Sequence, residues 1–255
     1  MDDVNETTYD RTGGPDPAAP WRGKAGPLFD RNARRYDSVN RVITFGMDQR
    51  WRRWLVERAA LRPGQRALDA CAGTGLLGLE LACRGARVTL LDASPVMLES
   101  ARRRAASAGL DVDVIVADVE DGVTLSRDLA ERYGEKAPFD AVGMAFGLRY
   151  FVDPGAVLAG YRSLLRPGGR LLVVDAVLPP RTPVGRAAGF YFFEVAPRVA
   201  TALAGRAELY ESLTASVRAL GDAARVRRLI TAAGFTPAAE RPFVGGMVRA
   251  FVARA

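Results

Sequence analysis

Two carboxylates and a glycine-rich turn are the residues in this chain best suited to chemistry. Asp69 ends an apolar run, the chain turns through Gly73-Thr74-Gly75, and Asp92 ends the next apolar run. An acid at the end of a strand can accept both hydroxyls of a ribose. An acid at the mouth of the turn also favours a ligand whose reactive end is cationic. The pattern therefore predicts binding of S-adenosylmethionine, which carries an ammonium and a sulfonium, and hence methyl transfer.

The same turn has a second interpretation. Gly73, Gly75 and Gly78 spell the G-x-G-x-x-G fingerprint of dinucleotide-binding proteins. A diphosphate bound at a helix N-terminus requires positive potential there, and Asp69 would oppose it. Asp92 would serve either ligand, so Asp69 is the residue that favours the methyl donor.

Segments of strand and helix length alternate from Arg66 onward, which predicts a parallel sheet covered by helices on both faces. A final helix near 222–233 and strands near 237–243 and 247–254 would add an antiparallel edge. The fold class is therefore α/β, with a doubly wound, mostly parallel sheet of seven strands. Before the antiparallel edge, strands are predicted near 66–70, 87–92, 112–117, 139–146 and 170–177, and helices near 76–84, 95–108, 125–133 and 154–165.

Ligands of such sheets bind beyond the carboxyl ends of the strands. Asp69, Asp92, Asp118 and the segment after Phe146 all fall at predicted strand ends. The site is therefore expected along this one edge.

Residues outside the alternation suggest a tail, an N-terminal helical region and a cap. Residues 1–26 are rich in Asp, Gly and Pro, which predicts a disordered tail before a single domain at 27–255. Residues 27–61 read as helical. Residues 183–220 read as an apolar helical insertion that would cap the site, divided or kinked at Pro197.

Composition excludes several kinds of site. The chain contains no histidine and two cysteines, so it lacks the usual general base, and its spacings predict no metal site. Its net charge of +7 comes almost wholly from arginine, without the aromatic interleaving of a base-stacking surface, so no nucleic acid partner is expected. The acidic, polar start and the absence of a long apolar run predict a cytoplasmic protein.

The chain resembles the quinone-biosynthesis C-methyltransferases, which methylate demethylmenaquinol and the polyprenyl-benzoquinol precursor of ubiquinone. The resemblance implies the Rossmann-like fold of class I methyltransferases, with N-terminal helices and a helical cap. The matching stretches are FDRNARRYDSVNRVITFGMDQRWRRW, LDACAGTGLLGLEL, LLDASPVML, the FGLR of AFGLRYFVD, LRPGGRLLVVD and APRVATALAGRAELYESLTASVRAL.

By this resemblance, the donor side of the site uses residues that follow the strands. Thr74, with Gly73 and Gly75, would hold the methionine end of S-adenosylmethionine, and Asp92 would bind its ribose. The other positions expected to bind the cofactor are Asp69, Ala93, Asp118, Val119 and Ala145, with Asp118 and Val119 beside the adenine.

The acceptor side would carry the two residues expected to be catalytic, Arg149 and Tyr36. Methylation of a hydroquinone carbon needs an ionised ring hydroxyl, and the Arg149 guanidinium would stabilise that anion without acting as a base. In so basic a chain, Arg149 can alternatively form only a surface ion pair. Tyr36 would close the pocket and reach the donor carboxylate or the acceptor hydroxyl. The aromatic residues expected to line a channel for the substrate are Phe146, Tyr150, Phe190, Tyr191 and Phe193.

Departures from the family pattern concentrate on the substrate side and leave the acceptor open. Tyr150 stands where the family has Asn, and Ala145 where it has Ser, while Leu76 and Asp118 replace Asp and Asn near the donor. The expected partner is a lipophilic quinol, with another small aromatic or natural-product acceptor, or a non-catalytic S-adenosylmethionine-binding protein, as alternatives. RNA methylation is a minor alternative. A homodimer and a transient contact with a membrane surface also stay open.

Overall fold

The computed structural model describes Asp30, residues 33–118, Glu120, Leu129, and residues 139–204 and 208–255. The predicted tail at 1–26, Val119 and all but one residue of the helix expected at 125–133 lie outside these residues. Every element and contact of the fold is given for these residues only.

The described strands form one seven-stranded sheet in the order β3-β2-β1-β4-β5-β7-β6. Neighbouring strands run parallel except β7, which is antiparallel to both β5 and β6. This confirms the predicted fold class and the antiparallel edge. The strands are β1 (Arg66–Ala70), β2 (Arg87–Asp92), β3 (Val112–Val116), β4 (Phe139–Ala145), β5 (Leu165–Ala176), β6 (Thr236–Phe243) and β7 (Val248–Arg254).

The helices flank the sheet or precede it. The described helices are α1 (Ala33–Ile43), α2 (Asp48–Ala59), α3 (Leu76–Ala82), α4 (Pro95–Ser107), α5 (Pro154–Ser163), α6 (Pro183–Phe190), α7 (Ala196–Ala204), α8 (Glu208–Leu220) and α9 (Ala223–Ala232).

The central strands are buried on both faces, because side chains alternate between two apolar cores. Leu68 and Val173 point into one core, with Tyr161 of α5. Leu90 and Leu172 point into the other core, against α2 and α3. This two-sided burial explains why these strands read as nearly continuous apolar runs.

Side chains just before the first turn of several helices fix where those helices begin. The Ser94 hydroxyl accepts a hydrogen bond from the Met97 amide at 3.0 Å, and Pro95 occupies the first turn of α4. Asp153 caps α5 and Asp222 caps α9 in the same way. These caps fix the residue at which each helix begins.

Strand β5 begins earlier than predicted, at Leu165 rather than near residue 170. Phe139 pairs with Leu165, and Ala141 pairs with Arg170, so residues 166–169 form a bulge within β5. Gly168, at φ 74°, permits this excursion, and its amide donates to the Ala255 carbonyl.

The cap between β5 and β6 is helical, as predicted, but it is divided before Pro197. Residues Tyr191–Val195 form a π-helical turn between α6 and α7, in which the Ala196 amide donates to the Tyr191 carbonyl. Pro197 has no amide hydrogen, which makes a wider turn at this point acceptable. The extra residue rotates the side chains of Tyr191 and Phe192 relative to α6.

Candidate active site

A cavity of about 330 Å³ lies beyond the carboxyl ends of β1, β4 and β5. The two N-terminal helices and the cap enclose its other sides. Of the residues predicted to bind the donor, Asp69, Gly73, Thr74 and Ala145 line it. The predicted edge of the sheet is therefore where the cavity lies.

Asp69 is buried at the end of β1, with 1% of its surface exposed. Its Oδ2 atom accepts a hydrogen bond from the Gly78 amide at 2.7 Å, whereas Oδ1 has no hydrogen-bond partner among the described residues. Burial raises the pKa of Asp69 to about 7, against the lowering effects of the Gly78 amide and of Arg52. A side chain at Gly78 would overlap Leu90 and lie 3.0 Å from Asp69 Oδ2. Gly78 therefore lets the helix approach the strand.

Asp92 accepts a hydrogen bond from the glycine turn that precedes it in the sequence. Its Oδ2 atom accepts from the Gly73 amide at 2.8 Å, and its Oδ1 atom accepts from the Ser94 amide at 2.9 Å. Burial raises the pKa of Asp92. Gly73 and Gly75 adopt φ of 53° and 78°, which the turn requires. Gly75 packs on Ala101 of α4 and does not line the cavity.

The residues predicted beyond Asp92 lie outside the cavity. Ala93 and Asp118 are exposed, and Asp118 Oδ1 accepts from the Glu120 amide at 2.9 Å. The roles of Asp92, Ala93 and Asp118 stay predictions.

Asp37 of α1 ties the N-terminal helices to the glycine turn. Its Oδ1 atom accepts from the Thr74 hydroxyl at 2.9 Å, and its Oδ2 atom pairs with Arg104 Nη2 at 2.6 Å. Arg104 also donates to the Thr74 carbonyl at 3.4 Å. Sequence reasoning missed Asp37, although it lies within one of the stretches that resemble the family.

Arg149 forms a buried ion pair with Asp175, so the surface alternative is wrong. The Arg149 Nη1 atom lies 2.5 Å from Asp175 Oδ1, and the Arg149 amide donates to Oδ2 at 3.3 Å. Burial alone would lower the pKa of Arg149, but Asp175, Tyr150 and Tyr36 raise it above its ordinary value. Burial also raises the pKa of Asp175, against the opposing effect of Arg149. Sequence reasoning missed Asp175, the penultimate residue of β5.

Tyr36 and Tyr150 meet Arg149 in the cavity wall. The guanidinium carbon of Arg149 lies 4.7 Å from the centre of the Tyr150 ring and 5.6 Å from that of Phe146. Burial, partly offset by Arg149, raises the pKa of Tyr36 to about 12. Tyr36 therefore keeps its proton at neutral pH and can donate a hydrogen bond.

The turns after β1 and β4 each hold a residue with a strained backbone, and the two turns approach each other closely at Gly147. Phe146 and Cys71 adopt φ of 65° and 58°, which is uncommon for residues with side chains. A Cβ atom at Gly147 would lie 2.7 Å from Cys71 Cβ, so only glycine allows this approach. Such strain is concentrated at functional sites.

The structure places three of the five aromatic residues predicted to line the channel in the cavity wall and leaves Phe190 and Phe193 outside it. Phe146, Tyr150 and Tyr191 line the cavity, and the Tyr191 hydroxyl donates to the Ile43 carbonyl at 2.8 Å. Phe190 is 65% exposed and does not line it. Phe190 lies away from the buried face of α6, which is formed by Gly185 and Gly189, and Phe192 of the π-helical turn lines the cavity instead. Trp51, whose ring centre lies 5.9 Å from that of Phe146, is another wall residue that the sequence did not identify.

Solved structures share this fold at low sequence identity. A SAM-dependent methyltransferase from Aquifex aeolicus matches with a TM-score of 0.54 and 17% identity, over 80% of this chain and 88% of that one. The [4+2]-cyclase SpnF matches with a TM-score of 0.57 and 20% identity, over 90% of this chain and 94% of that one. At this identity the likeness shows the fold alone.

Sequence relatives are closer. The chain is 38% identical over 211 residues to a demethylmenaquinone methyltransferase from Thermus thermophilus, which covers 82% of this chain and 91% of the relative. It is 37% identical over 225 residues to a demethylmenaquinone methyltransferase from Mycobacterium tuberculosis, over 87% and 88% of the two chains. A model of the ubiE/COQ5 methyltransferase family matches residues 22–254. The chain therefore belongs to the ubiE/COQ5 methyltransferase family and uses S-adenosylmethionine as its methyl donor.

Proposed function

We propose that this enzyme transfers the methyl group of S-adenosylmethionine to a ring carbon of a prenylated hydroquinone of the demethylmenaquinol type, in quinone biosynthesis. The observation that carries the proposal is the Arg149–Asp175 pair, buried beside Tyr36 and Tyr150 in an otherwise largely apolar cavity. The names of the relatives give the substrate class. A fixed cation among aromatic rings suits an acceptor that must ionise.

The donor fits the glycine-turn end of the cavity. The Oδ1 atom of Asp69 has no hydrogen-bond partner among the described residues, and a buried acceptor of this kind suits an ammonium. Thr74 and the turn would hold the rest of the methionine end, and Asp92 the ribose. When bound, the donor supplies an electrophilic methyl group.

The acceptor residues would favour the ionised ring. The Arg149 guanidinium stays protonated and stabilises a phenolate, and its Nε atom makes no hydrogen bond to any described residue. Tyr36, with its high pKa, is a donor to a ring oxygen rather than a base. Walls of aromatic and aliphatic side chains exclude water, which strengthens the attraction between the guanidinium and the ring oxygen. A water molecule can carry the released proton away.

A lipid tail would leave through an apolar rim, which we propose makes transient contact with a membrane surface. Phe45 is 72% exposed and its ring centre lies 5.6 Å from that of Tyr191 in the cavity wall. Phe190 is exposed on the neighbouring cap, and the exposed Arg186 of α6 would attract anionic lipid. Among the described residues, no helix has both the length and the apolar character to cross a bilayer.

Sedimentation with vesicles of phosphatidylcholine and phosphatidylglycerol tests this contact. A Phe45→Ser/Phe190→Ser variant should bind them more weakly than the native chain. Val116→Ser, at an exposed apolar position on β3, is the matched control and should bind normally. Equal vesicle binding by all three proteins would remove the membrane surface from the proposal.

Another small aromatic acceptor is the second candidate. Tyr150 packs on Arg149 where the family pattern has an asparagine, so the headgroup pocket differs in shape and polarity. Purified enzyme with isotopically labelled donor should be offered demethylmenaquinol and a set of short phenols. Mass spectrometry should find the label on a ring carbon of the quinol. Labelling of phenols alone would favour the second candidate, and labelling of neither class would refute both.

A further inference from the structure

A second buried ion pair lines the cavity at the glycine-turn end. Arg52 of α2 has 6% of its surface exposed, and its Nη2 atom pairs with Asp48 Oδ2 one turn earlier. Asp48 also accepts from the Thr44 hydroxyl at 3.2 Å. Both members of the pair line the cavity. An ion pair kept out of solvent is costly to build, which calls for a role beyond helix stability.

Arg52 retains donors that the pair does not use. Its Nε and Nη1 atoms make no hydrogen bond to any described residue, and they are not among the fully enclosed unsatisfied atoms. They therefore keep accessible surface on a side chain that lines the cavity. Asp48 holds Nη2, which leaves Nε and Nη1, on opposite edges of the guanidinium, each able to donate a hydrogen bond to an anion.

Arg52 and Asp69 place opposite charges at the same end of the cavity. Arg52 is close enough to lower the pKa of Asp69, yet within the described structure the two side chains form no ion pair. Asp69 Oδ1 is left without a partner there. Asp69, a cavity-lining residue whose Oδ1 atom is enclosed and unpartnered among the described residues, and the unused donors of Arg52 match the two charged groups of an α-amino acid.

We propose that Arg52, aimed by Asp48, binds the carboxylate of the methionine moiety of the donor while Asp69 accepts its ammonium. The inference rests on the proposed function, in which the donor lies at the glycine turn. Arg52 is then a binding residue, and Asp48 is a positioning residue that holds the guanidinium in place. Acceptor chemistry at Arg149 is separate from this recognition.

Calorimetry with two ligands tests the proposal without turnover. One ligand is S-adenosylhomocysteine, and the other is its decarboxylated analogue, which keeps the ammonium but lacks the carboxylate. The native protein should bind the first about 10- to 100-fold more tightly, the range expected of a charged hydrogen bond. Arg52→Gln should lose this preference and bind both ligands with similar affinity. The coupling between the two deletions isolates the contact.

The matched control is Arg53→Gln, on the same helix with an exposed side chain 3.6 Å from Glu80. It should keep the native preference. Because Arg52→Gln leaves Asp48 buried alone, an Asp48→Asn/Arg52→Gln variant provides a neutral pair, and it should also bind both ligands alike.

Two results would overturn the assignment of Arg52 alone. They are equal affinity of the native protein for both ligands, and a loss in Arg52→Gln that is the same for both. If the native protein bound neither ligand, the placement of the donor in the proposed function would fail as well.

Discussion

The donor end and the acceptor end of the cavity are built in different ways. The donor end comes mainly from one continuous stretch, in which backbone amides of Gly73, Gly78 and Ser94 fix the carboxylates at the ends of β1 and β2. The acceptor end joins distant segments through side chains, with Arg149 after β4 held by Asp175 of β5. The first arrangement suits a shared cofactor, and the second can change with the substrate.

The largest expected effect comes from the acceptor end. Arg149→Met should lower kcat by about 10²–10³-fold, because a fixed charge opposite the developing anion is lost. It should also destabilise the fold by about 3–5 kcal/mol, since Asp175 is left buried and unpaired. Affinity for S-adenosylhomocysteine should stay near native. Stopped assays, urea unfolding and calorimetry measure the three quantities.

An Arg149→Met/Asp175→Leu variant separates charge from packing. It should regain most of the stability, because no buried charge remains, and none of the activity. Recovery of activity would show that Arg149 only supports the fold.

Glycine replacements probe how tightly each end is packed. Gly78→Ala should cost about 1–3 kcal/mol, because its methyl group would overlap Leu90, and it should weaken donor binding. Gly147→Ala should cost a similar amount, since its methyl would press on Cys71, while donor binding changes less. Gly160→Ala on α5 has open space around it and should stabilise the chain by about 0.5–1 kcal/mol. Identical effects of the first two on donor binding would contradict the division into two ends.

The pH dependence of donor binding tests the ammonium contact at Asp69. The unfolded carboxyl has a pKa near 4, whereas burial raises that of Asp69 to about 7 in the fold. The folded chain therefore holds the extra proton between these values, and this group's contribution to stability falls as pH rises across them. Because an ammonium needs the ionised form, affinity for S-adenosylhomocysteine should fall up to about tenfold per unit as pH drops below 7. Asp69→Asn should bind weakly with no such slope, and a slope that persisted would assign the titration elsewhere.

The smallest expected effect comes from Asp37, which links the two ends of the cavity. Asp37→Ala removes the acceptor shared by Thr74 and Arg104, both partly exposed contacts. Affinity for S-adenosylhomocysteine should fall about threefold, as for a modest hydrogen bond, with faster dissociation. Glu99→Ala, which breaks the exposed pair with Arg103 on α4, is the control and should leave both unchanged. Unchanged dissociation in Asp37→Ala would show that α1 does not retain the donor.

The sequence predicted the donor end well because its signals are local. The bounds of β1 and β2 match the prediction, since strand ends, glycines and carboxylates occur within a few residues of one another. The third glycine of the fingerprint proved to serve packing against Leu90, which is why the motif alone could not distinguish a dinucleotide from the methyl donor.

The acceptor end depends on contacts between distant parts of the chain, which local patterns do not encode. Asp175 looked like the end of one more strand, and only the turn at Phe146 brings Arg149 beside it. In the cap, Phe192 of the π-helical turn lies in the wall, whereas Phe190 at the end of α6 is exposed, a difference that the apolar pattern did not predict. The family resemblance identified Arg149 and Tyr36 as candidates, whereas Asp37 and Arg52 could be identified only from the three-dimensional structure.

Adjacent residues of α1 serve the two ends. Tyr36 completes the wall beside Arg149, and Asp37 secures the turn through Thr74. When α1 is in this position it closes both ends of the cavity at once, and a donor of this size cannot pass it. We therefore expect a compulsory order, in which S-adenosylmethionine binds first and S-adenosylhomocysteine is released last.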